Sequence, residues 1–321
     1  MTGPYDREAA IVGLTRALPY IRLFRGRAFV IKLGGEATSD PAALLQLAEQ
    51  VGVLREVGIK VVLVHGGGAQ ATALAGRLGV ETRMVAGRRV TTPEALESVV
   101  MAVNGTVRTA VLAACRAAHL PAVGISGLDA ALVCAHRRPP AEVDAGGRPE
   151  LVDFGEVGDV AAVDRRPLDA ILAAGYVPVV SPVSGDGGGR VLNVNADTVA
   201  AAIAAALDAE KLIFLTETSG ILDDPADPSS MVSCVDLKGL DAMEGRGALG
   251  GGMRPKVAAA RAALASGVRR VHVVGYRQRL GLLTEVFTNE GAGTLIVPDL
   301  AQLPAAEQGG AVPPPSGGPV R

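Results

Sequence analysis

Phe29-Val30-Ile31-Lys32-Leu33-Gly34-Gly35-Glu36 and Val61-Val62-Leu63-Val64-His65-Gly66-Gly67-Gly68 are two apolar strands that each run straight into glycines. Uninterrupted apolar strands belong to a parallel sheet buried on both faces. Glycine at a strand-to-helix junction lets the backbone approach a bound anion, and the N-terminus of the next helix offers unpaired N–H donors. Lys32, two residues before Gly34, adds a full positive charge at the same edge. The pair of loops suits a site for two anionic groups, such as a phosphate and a carboxylate. One glycine loop alone reads more readily as an ordinary turn with its lysine in solvent, but two in successive βα units point to a site.

The rest of the chain fits that frame. Its 321 residues are 49% hydrophobic, mainly Ala, Val and Leu, with 3% aromatic and no Trp. The core is therefore aliphatic, and the length allows one large α/β domain or two lobes. A net charge of −2 gives no reason to expect nucleic acid or a membrane surface as partner. Cys115, Cys134 and Cys234 show neither CxxC nor metal-ligand spacing and read as reduced, buried thiols. No apolar run approaches the roughly 18–20 residues that span a bilayer, and the first residues lack a signal-peptide pattern. The expected location is cytoplasmic.

Strands and helices alternate. The pattern predicts a helix over Asp6–Leu18 ended by Pro19, a strand over 28–33, a helix over 41–57 and a strand over 60–64 leading to a helix as far as Leu78. Helices at 93–101 and 107–118 and a strand at 122–125 follow. Leu132–Cys134 and Leu151–Phe154 read as a hairpin. A helix at 167–174, a strand at 177–183, a helix at 196–207 and strands at 211–215, 271–274 and 294–297 complete the core, with a helix from about Pro255 to Ala265. This order predicts an α/β fold with a right-handed, mostly parallel sheet between helical layers. The glycines of Ser184–Gly189 mark the approximate seam between two lobes, and the Pro/Gly-rich residues 300–321 read as disordered.

Four further constellations carry chemistry. In Gly87-Arg88-Arg89-Val90-Thr91 an arginine ahead of a helix can fork onto a carboxylate, or be a plain surface arginine. In Asn193-Val194-Asn195-Ala196-Asp197, period-two alternation places the three polar side chains together if the strand persists, whereas Asn195 or Asp197 could simply cap a helix. Leu215-Thr216-Glu217-Thr218-Ser219-Gly220-Ile221 turns through small polar residues at a strand end, as a nucleotide-contacting loop does, though alone the stretch is non-specific. Gly250-Gly251-Gly252-Met253-Arg254-Pro255-Lys256 feeds a helix whose first turn carries a lysine, where the helix dipole disfavours a cation unless an anion compensates it. His65 reads as bonded within its loop; His119, His136 and His272 are isolated. There is no P-loop and no GxGxxG after the first strand.

In order and spacing, FVIKLGGEA, VVLVHGGGAQ, GRRVTTPE, AVGISGLD, NVNADT, TETSGIL, GGMRPKV and FTNEGAGTLIV resemble the amino acid kinase family, over roughly Leu14–Val297. The likeness is greatest to its members that phosphorylate the side-chain carboxylate of N-acetyl-L-glutamate in arginine biosynthesis. It implies a three-layer αβα sandwich of the carbamate kinase type in two lobes, 27–189 for the acyl amino acid and 190–299 for the nucleotide. Lys32 and Lys256 would then hold the transferring phosphoryl group and Asp197 would position both lysines. Gly66, Gly67, Arg89 and Asn193 would bind the acyl amino acid. Gly34, Gly35, Glu217, Thr218, Ser219, Gly220, Ile221, Leu222, Ala248, Leu249 and Gly250 would bind ATP, with Mg2+ as cofactor. A carboxylate acceptor is already ionised at neutral pH, so no general base is required.

The segment PYIRLFRG resembles the N-terminal helix of arginine-inhibited hexameric members, implying that residues 1–26 serve a homo-oligomer, dimer or hexamer, with L-arginine bound between this helix and Phe287–Gly293. LGGEA and Ser266–Tyr276 resemble instead the kinase-like domain of N-acetylglutamate synthase, and Ala69, Asn104–Arg108 and Leu280 depart from the kinase pattern. No segment sized for an acetyltransferase follows Val297. Two alternatives stay open: a non-catalytic arginine-binding subunit, and a kinase for carrier-linked aminoadipate or glutamate.

Overall fold

The computed structural model describes residues 7–85, 88–144 and 149–302. A sheet of eight strands crosses it. From one edge to the other these are β14 (Cys234–Asp236), β16 (Gly293–Val297), β15 (Arg270–Gly275), β13 (Lys211–Thr216), β1 (Ala28–Leu33), β2 (Lys60–His65), β10 (Val177–Ser181) and β5 (Ala122–Ser126). Neighbours run parallel except β15 and β16. Residues 27–189 supply one half of the sheet, residues 190–299 the other, and the halves meet where β1 pairs with β13.

Alternation along the strands makes the two helical layers. Val30, Val62, Val64, Leu212 and Phe214 face a cluster containing Val199, Ile203, Ala260 and Ala263 of α7 (Ala196–Ala206) and α9 (Met253–Ala265). Phe29, Ile31, Leu33, Leu63 and Ile213 face the opposite way. They meet Leu44, Leu47 and Leu54 of α2 (Pro41–Glu56), Val111 and Cys115 of α5 (Arg108–Ala117), and Leu282 and Val286 of α10 (Gly281–Phe287). Alanines on α7 and α9 remove bulk where these helices approach each other, so a core poor in aromatics still closes.

Several sequence expectations are corrected. Pro19 does not end the first helix: α1 spans Arg7–Phe24, because its last turns are anchored by Phe24, buried against Phe29. The stretch 132–134 does not pair with 151–154. Instead β6 (Val133–Arg137) pairs antiparallel with β9 (Val157–Val163), and β7 (Ala141–Asp144) forms a separate hairpin with β8 (Pro149–Val152). The strand starting at Val177 breaks at Pro182, and β11 (Val183–Gly185) leaves the main sheet to join β12 (Val191–Val194), β9 and β6 in a small closed barrel. The glycines after Ser184 turn this β11–β12 hairpin.

The helices at 93–101 and 107–118 are one run. It comprises α4 (Pro93–Val100), a π-turn over Met101–Val107 and α5. Pro93–Ala117 is long and apolar enough by length and composition to cross a membrane, but here Val99, Val103, Val111 and Cys115 are buried in the protein core. Of the cysteines, only Cys115 is buried, which pushes its thiol up to about 11; Cys134 and Cys234 are half-buried. Leu300–Gln302 form a short 3-10 turn, so the expected disorder does not begin at residue 300; Gly87 and residues 303–321 lie outside the described residues.

Candidate active site

Position parity decides what Lys32 touches. On β1 it shares the face of Val30, which α7 and α9 cover. The strand pattern of β12 ends at Val194, and Asn195 caps α7, its side-chain oxygen accepting from the N–H groups of Asp197 at 2.8 Å and Thr198 at 3.2 Å. The capping alternative therefore holds for Asn195, which leaves Asp197 free to project from the first turn. Its Oδ1 lies 2.8 Å from Lys32 Nζ and its Oδ2 lies 3.8 Å from Lys256 Nζ. Lys32 and Asp197 are 6% and 5% exposed. Lys256 Nζ also donates to Gly252 O at 3.1 Å. Burial lowers the Lys256 pKa, Lys32 nearby adds to that, and the carboxylates of Asp197 and Glu36 oppose it. Two ammonium groups share one carboxylate, so the trio keeps one net positive charge at a partly desolvated edge, ready for a further anion.

Above the trio opens a cavity of about 530 Å3, within the size range of small-molecule sites. Gly34 and Gly35 line it, as do Glu217, Thr218, Gly220, Ile221, Leu222, Ala248, Leu249 and Gly250, together with both lysines. Ser219 is not in this lining; its carbonyl accepts from Gly275 N–H at 3.1 Å. Thr218 Oγ1 donates to Gly220 O at 2.9 Å and Ile221 N–H to Thr294 Oγ1 at 2.8 Å, which fixes the loop after β13. Glu36, Gly68, Ala69, Pro225 and Met253 also line the cavity.

Gly66, Gly67, Arg89 and Asn193 lie beside the cavity rather than in its lining. Gly66 donates its N–H to Leu33 O at 3.3 Å, and a Cβ on it would come 3.8 Å from Ala196 Cβ. Gly67 caps α3 (Gly68–Arg77), and its missing side chain admits Val103, since a Cβ there would lie 2.9 Å from Val103 Cγ2. The π-turn, a frequent companion of functional sites, thus presses on the second glycine loop. Arg89, on the hairpin of β3 (Arg83–Val85) and β4 (Arg88–Val90), donates to Gly68 O at 2.8 Å and Thr72 Oγ1 at 2.5 Å through one nitrogen. Desolvation lowers its pKa, from a value so high that the group stays cationic. Asn193 Nδ2 donates to Thr91 Oγ1 at 3.2 Å.

His65 is bonded within its loop as expected: Nδ1 lies 2.9 Å from Gly66 O, and burial pushes its pKa down to about 4. His272 is not isolated. Its Nδ1 bonds Glu285 Oε1 at 2.5 Å and its Nε2 lies 2.9 Å from Lys211 Nζ, in a buried array outside the cavity lining. Residues that motif reading passed over are Thr72, which holds Arg89, and Gln70, which spans the two glycine loops. Gln70 lies inside the quoted stretch VVLVHGGGAQ, but only its placement on the first turn of α3 reveals what it reaches.

Residues 27–275 match the model of the amino acid kinase family. An acetylglutamate kinase from Myxococcus xanthus is 47% identical over 298 residues, covering 92% of this chain and 97% of the relative. One from Symbiobacterium thermophilum is 43% identical, covering 88% and 96%. Among solved structures, N-acetylglutamate synthase from Neisseria gonorrhoeae, complexed with coenzyme A and N-acetyl-glutamate, superposes with a TM-score of 0.76 at 28% identity. It covers 89% of this chain, which spans 63% of the synthase. Carbamate kinase from Giardia lamblia shares the fold, at a TM-score of 0.60 and 18% identity. With its family pattern matched along most of its length and its two lysines converging on one carboxylate, this chain belongs to the amino acid kinase family.

Proposed function

We propose that this enzyme transfers the γ-phosphoryl group of ATP to the side-chain carboxylate of N-acetyl-L-glutamate, forming an acyl phosphate in arginine biosynthesis. The observation that carries the residue roles is the Lys32–Asp197–Lys256 trio at the cavity edge, flanked by two glycine loops. A carboxylate oxygen attacks the γ-phosphorus, the bond to the β,γ-bridging oxygen breaks, and ADP departs with that oxygen. The acceptor is already an anion, so no proton need be removed. Catalysis then rests on alignment and on charge placed where the transferring group passes. Lys32 and Lys256 supply that charge and Asp197 holds both ammonium groups in place.

The half built from residues 190–299 provides the nucleotide loops, and the half from 27–189 provides Arg89 and the second glycine loop for the acyl amino acid, with Asn193 reaching across. Among the described residues no group of three or more His, Cys, Asp or Glu is placed to hold a metal ion. Mg2+ would enter this site with the ATP phosphates, beside Lys32 and Lys256, and would supply further positive charge to the transferring group.

Regulation belongs to α1. Ile11, Leu14 and Leu23 are 64%, 59% and 57% exposed, an apolar surface that fits burial against another subunit of a homo-oligomer. Tyr20 of α1 donates to Asn289, so this helix already touches the 287–293 segment beside which L-arginine would bind. An ATP-dependent biosynthetic role fits a cytoplasmic location. Nothing in the comparisons favours a non-catalytic subunit, and both lysines are present.

Trapping the acyl phosphate with hydroxylamine tests the assignment. ATP-dependent hydroxamate is expected with N-acetylglutamate and not with aspartate or N-acetylaminoadipate, with free glutamate a weak acceptor. Preference for N-acetylaminoadipate would overturn the substrate, and no hydroxamate from any acceptor would overturn the activity.

A further inference from the structure

Gln70 ties the two glycine loops together. It sits in the first turn of α3, the helix that starts at the second loop. Its Nε2 lies 2.9 Å from Gly35 O, 3.1 Å from Thr38 Oγ1 and 2.7 Å from Ser39 Oγ, all in the first loop. Thr38 and Ser39 donate to the same Gly35 carbonyl, at 2.8 and 3.2 Å. That carbonyl is therefore held by three donors on the Gln70 side. In a trans peptide unit the N–H points opposite to the C=O, so the Glu36 N–H is directed away from Gln70. Gly35 and Glu36 line the cavity and Gln70 does not.

We infer that Gln70 is a positioning residue for phosphoryl transfer. It fixes the peptide between Gly35 and Glu36 as an N–H donor toward the nucleotide phosphates, and fixes the spacing between those donors and the N-terminus of α3, where the acyl amino acid sits. The inference rests on the kinase reading and deepens it by naming what sets the distance between donor and acceptor. Through its one amide nitrogen Gln70 makes three contacts onto this short loop. They come from a helix whose other early contacts hold Arg89, through Gly68 and Thr72. The first loop and the acyl-binding arginine are thereby referenced to one rigid element. In-line transfer is sensitive to displacements of about an ångström, which cost roughly 10²-fold in rate.

The test is Gln70→Met, which keeps length and volume and removes the donor. The full-length protein is assayed for kcat and for both KM values, and titrated with a non-hydrolysable ATP analogue to count binding sites. Expected is a kcat lower by about 10- to 100-fold, both KM values within about threefold, and an unchanged number of analogue sites. Damage to folding alone would lower kcat and site number in step, and that outcome overturns the inference, as does a kcat within twofold of wild type. Gln70→Glu, which places an acceptor against Gly35 O, is expected to be at least as impaired as Gln70→Met; near-normal turnover in it also overturns the role. The wild type separates the two readings: if it shows no acyl-dependent turnover the kinase assignment fails, whereas an active wild type with an equally active Gln70→Met removes only the strut.

Discussion

Lys32 Nζ lies 2.8 Å from Asp197 Oδ1, joining the strand of one half of the sheet that borders the other half to that other half's first helix. Both side chains are shielded from water, so the pair is an electrostatic fixture and not a surface contact. Removing one member of such a buried pair leaves the other charge poorly compensated, commonly at a cost of about 3–5 kcal/mol.

Lys256→Ala and Lys32→Ala are each expected to lower kcat by on the order of 10²-fold or more, because a preorganised charge at the transferring phosphoryl group is lost. They differ in stability. Lys256 is the looser partner at 3.8 Å, so its loss leaves the melting temperature nearly unchanged, whereas Lys32→Ala lowers it measurably. Thermal melts beside steady-state kinetics check both halves of this expectation, and normal turnover in both variants would remove the catalytic assignment.

Arg89→Lys is expected to raise KM for the acyl amino acid at least tenfold while moving KM for ATP less than threefold. A lysine can replace one bond to Gly68 O but cannot also offer a planar fork to a carboxylate. Equal changes in both constants would assign Arg89 to holding the β3–β4 hairpin.

Gly67→Ala is expected to impair binding of the acyl amino acid, because its Cβ would meet Val103 Cγ2 at 2.9 Å and Val107 Cγ2 at 3.3 Å. Val103→Ala in the same chain should restore much of the loss, giving a non-additive double-mutant cycle. Additivity would show that the π-turn does not set the loop.

Acid should destabilise the protein through His65 and His272, both pushed down to about 4, His65 by burial and His272 by burial and then Lys211. The folded state keeps them neutral and the unfolded state protonates them near 6.5. Their stabilisation is thus complete above about pH 6.5 and is lost as pH falls toward 4, by up to about 1.4 kcal/mol per pH unit for each. Urea midpoints between pH 7.5 and 4.5 measure this, and His65→Asn should flatten the slope by one histidine's share.

Removing most of α1 is expected to lower the subunit count and blunt any response to arginine. The new start must precede Tyr20, since Phe24 is buried against Phe29 and under Lys211, and losing it would expose the core. Light scattering and arginine titration of a chain beginning at Pro19 check this; an unchanged mass and response would reassign the exposed leucines.

Much of the sheet was legible because its strands are long aliphatic runs bounded by glycine, so β1 is found at its full extent and β2 to within one residue. Lys32, Asp197 and Lys256 were legible as motif residues, but their convergence depends on strand parity and on Asn195 taking the cap, which alternation along 193–197 concealed. The partner of β6 was not legible, since nearby β7, β8 and β9 offer similar short segments and only the barrel closure selects β9. The π-turn was invisible because one extra residue per turn barely disturbs helical periodicity. Pro19 misled because it forfeits a single backbone bond, which the anchoring of Phe24 outweighs.

The meeting of β1 with β13 has a consequence for biogenesis. Lys32 emerges from the ribosome long before Lys256, and Asp197 lies between them in the chain. A nascent or partly unfolded molecule in which only one half has formed holds at most one lysine against the carboxylate and, on the roles proposed for the trio, is expected to be catalytically silent. Appearance of activity is then expected to report the joining of the two halves, making turnover a stricter clock of folding than helix content measured by circular dichroism.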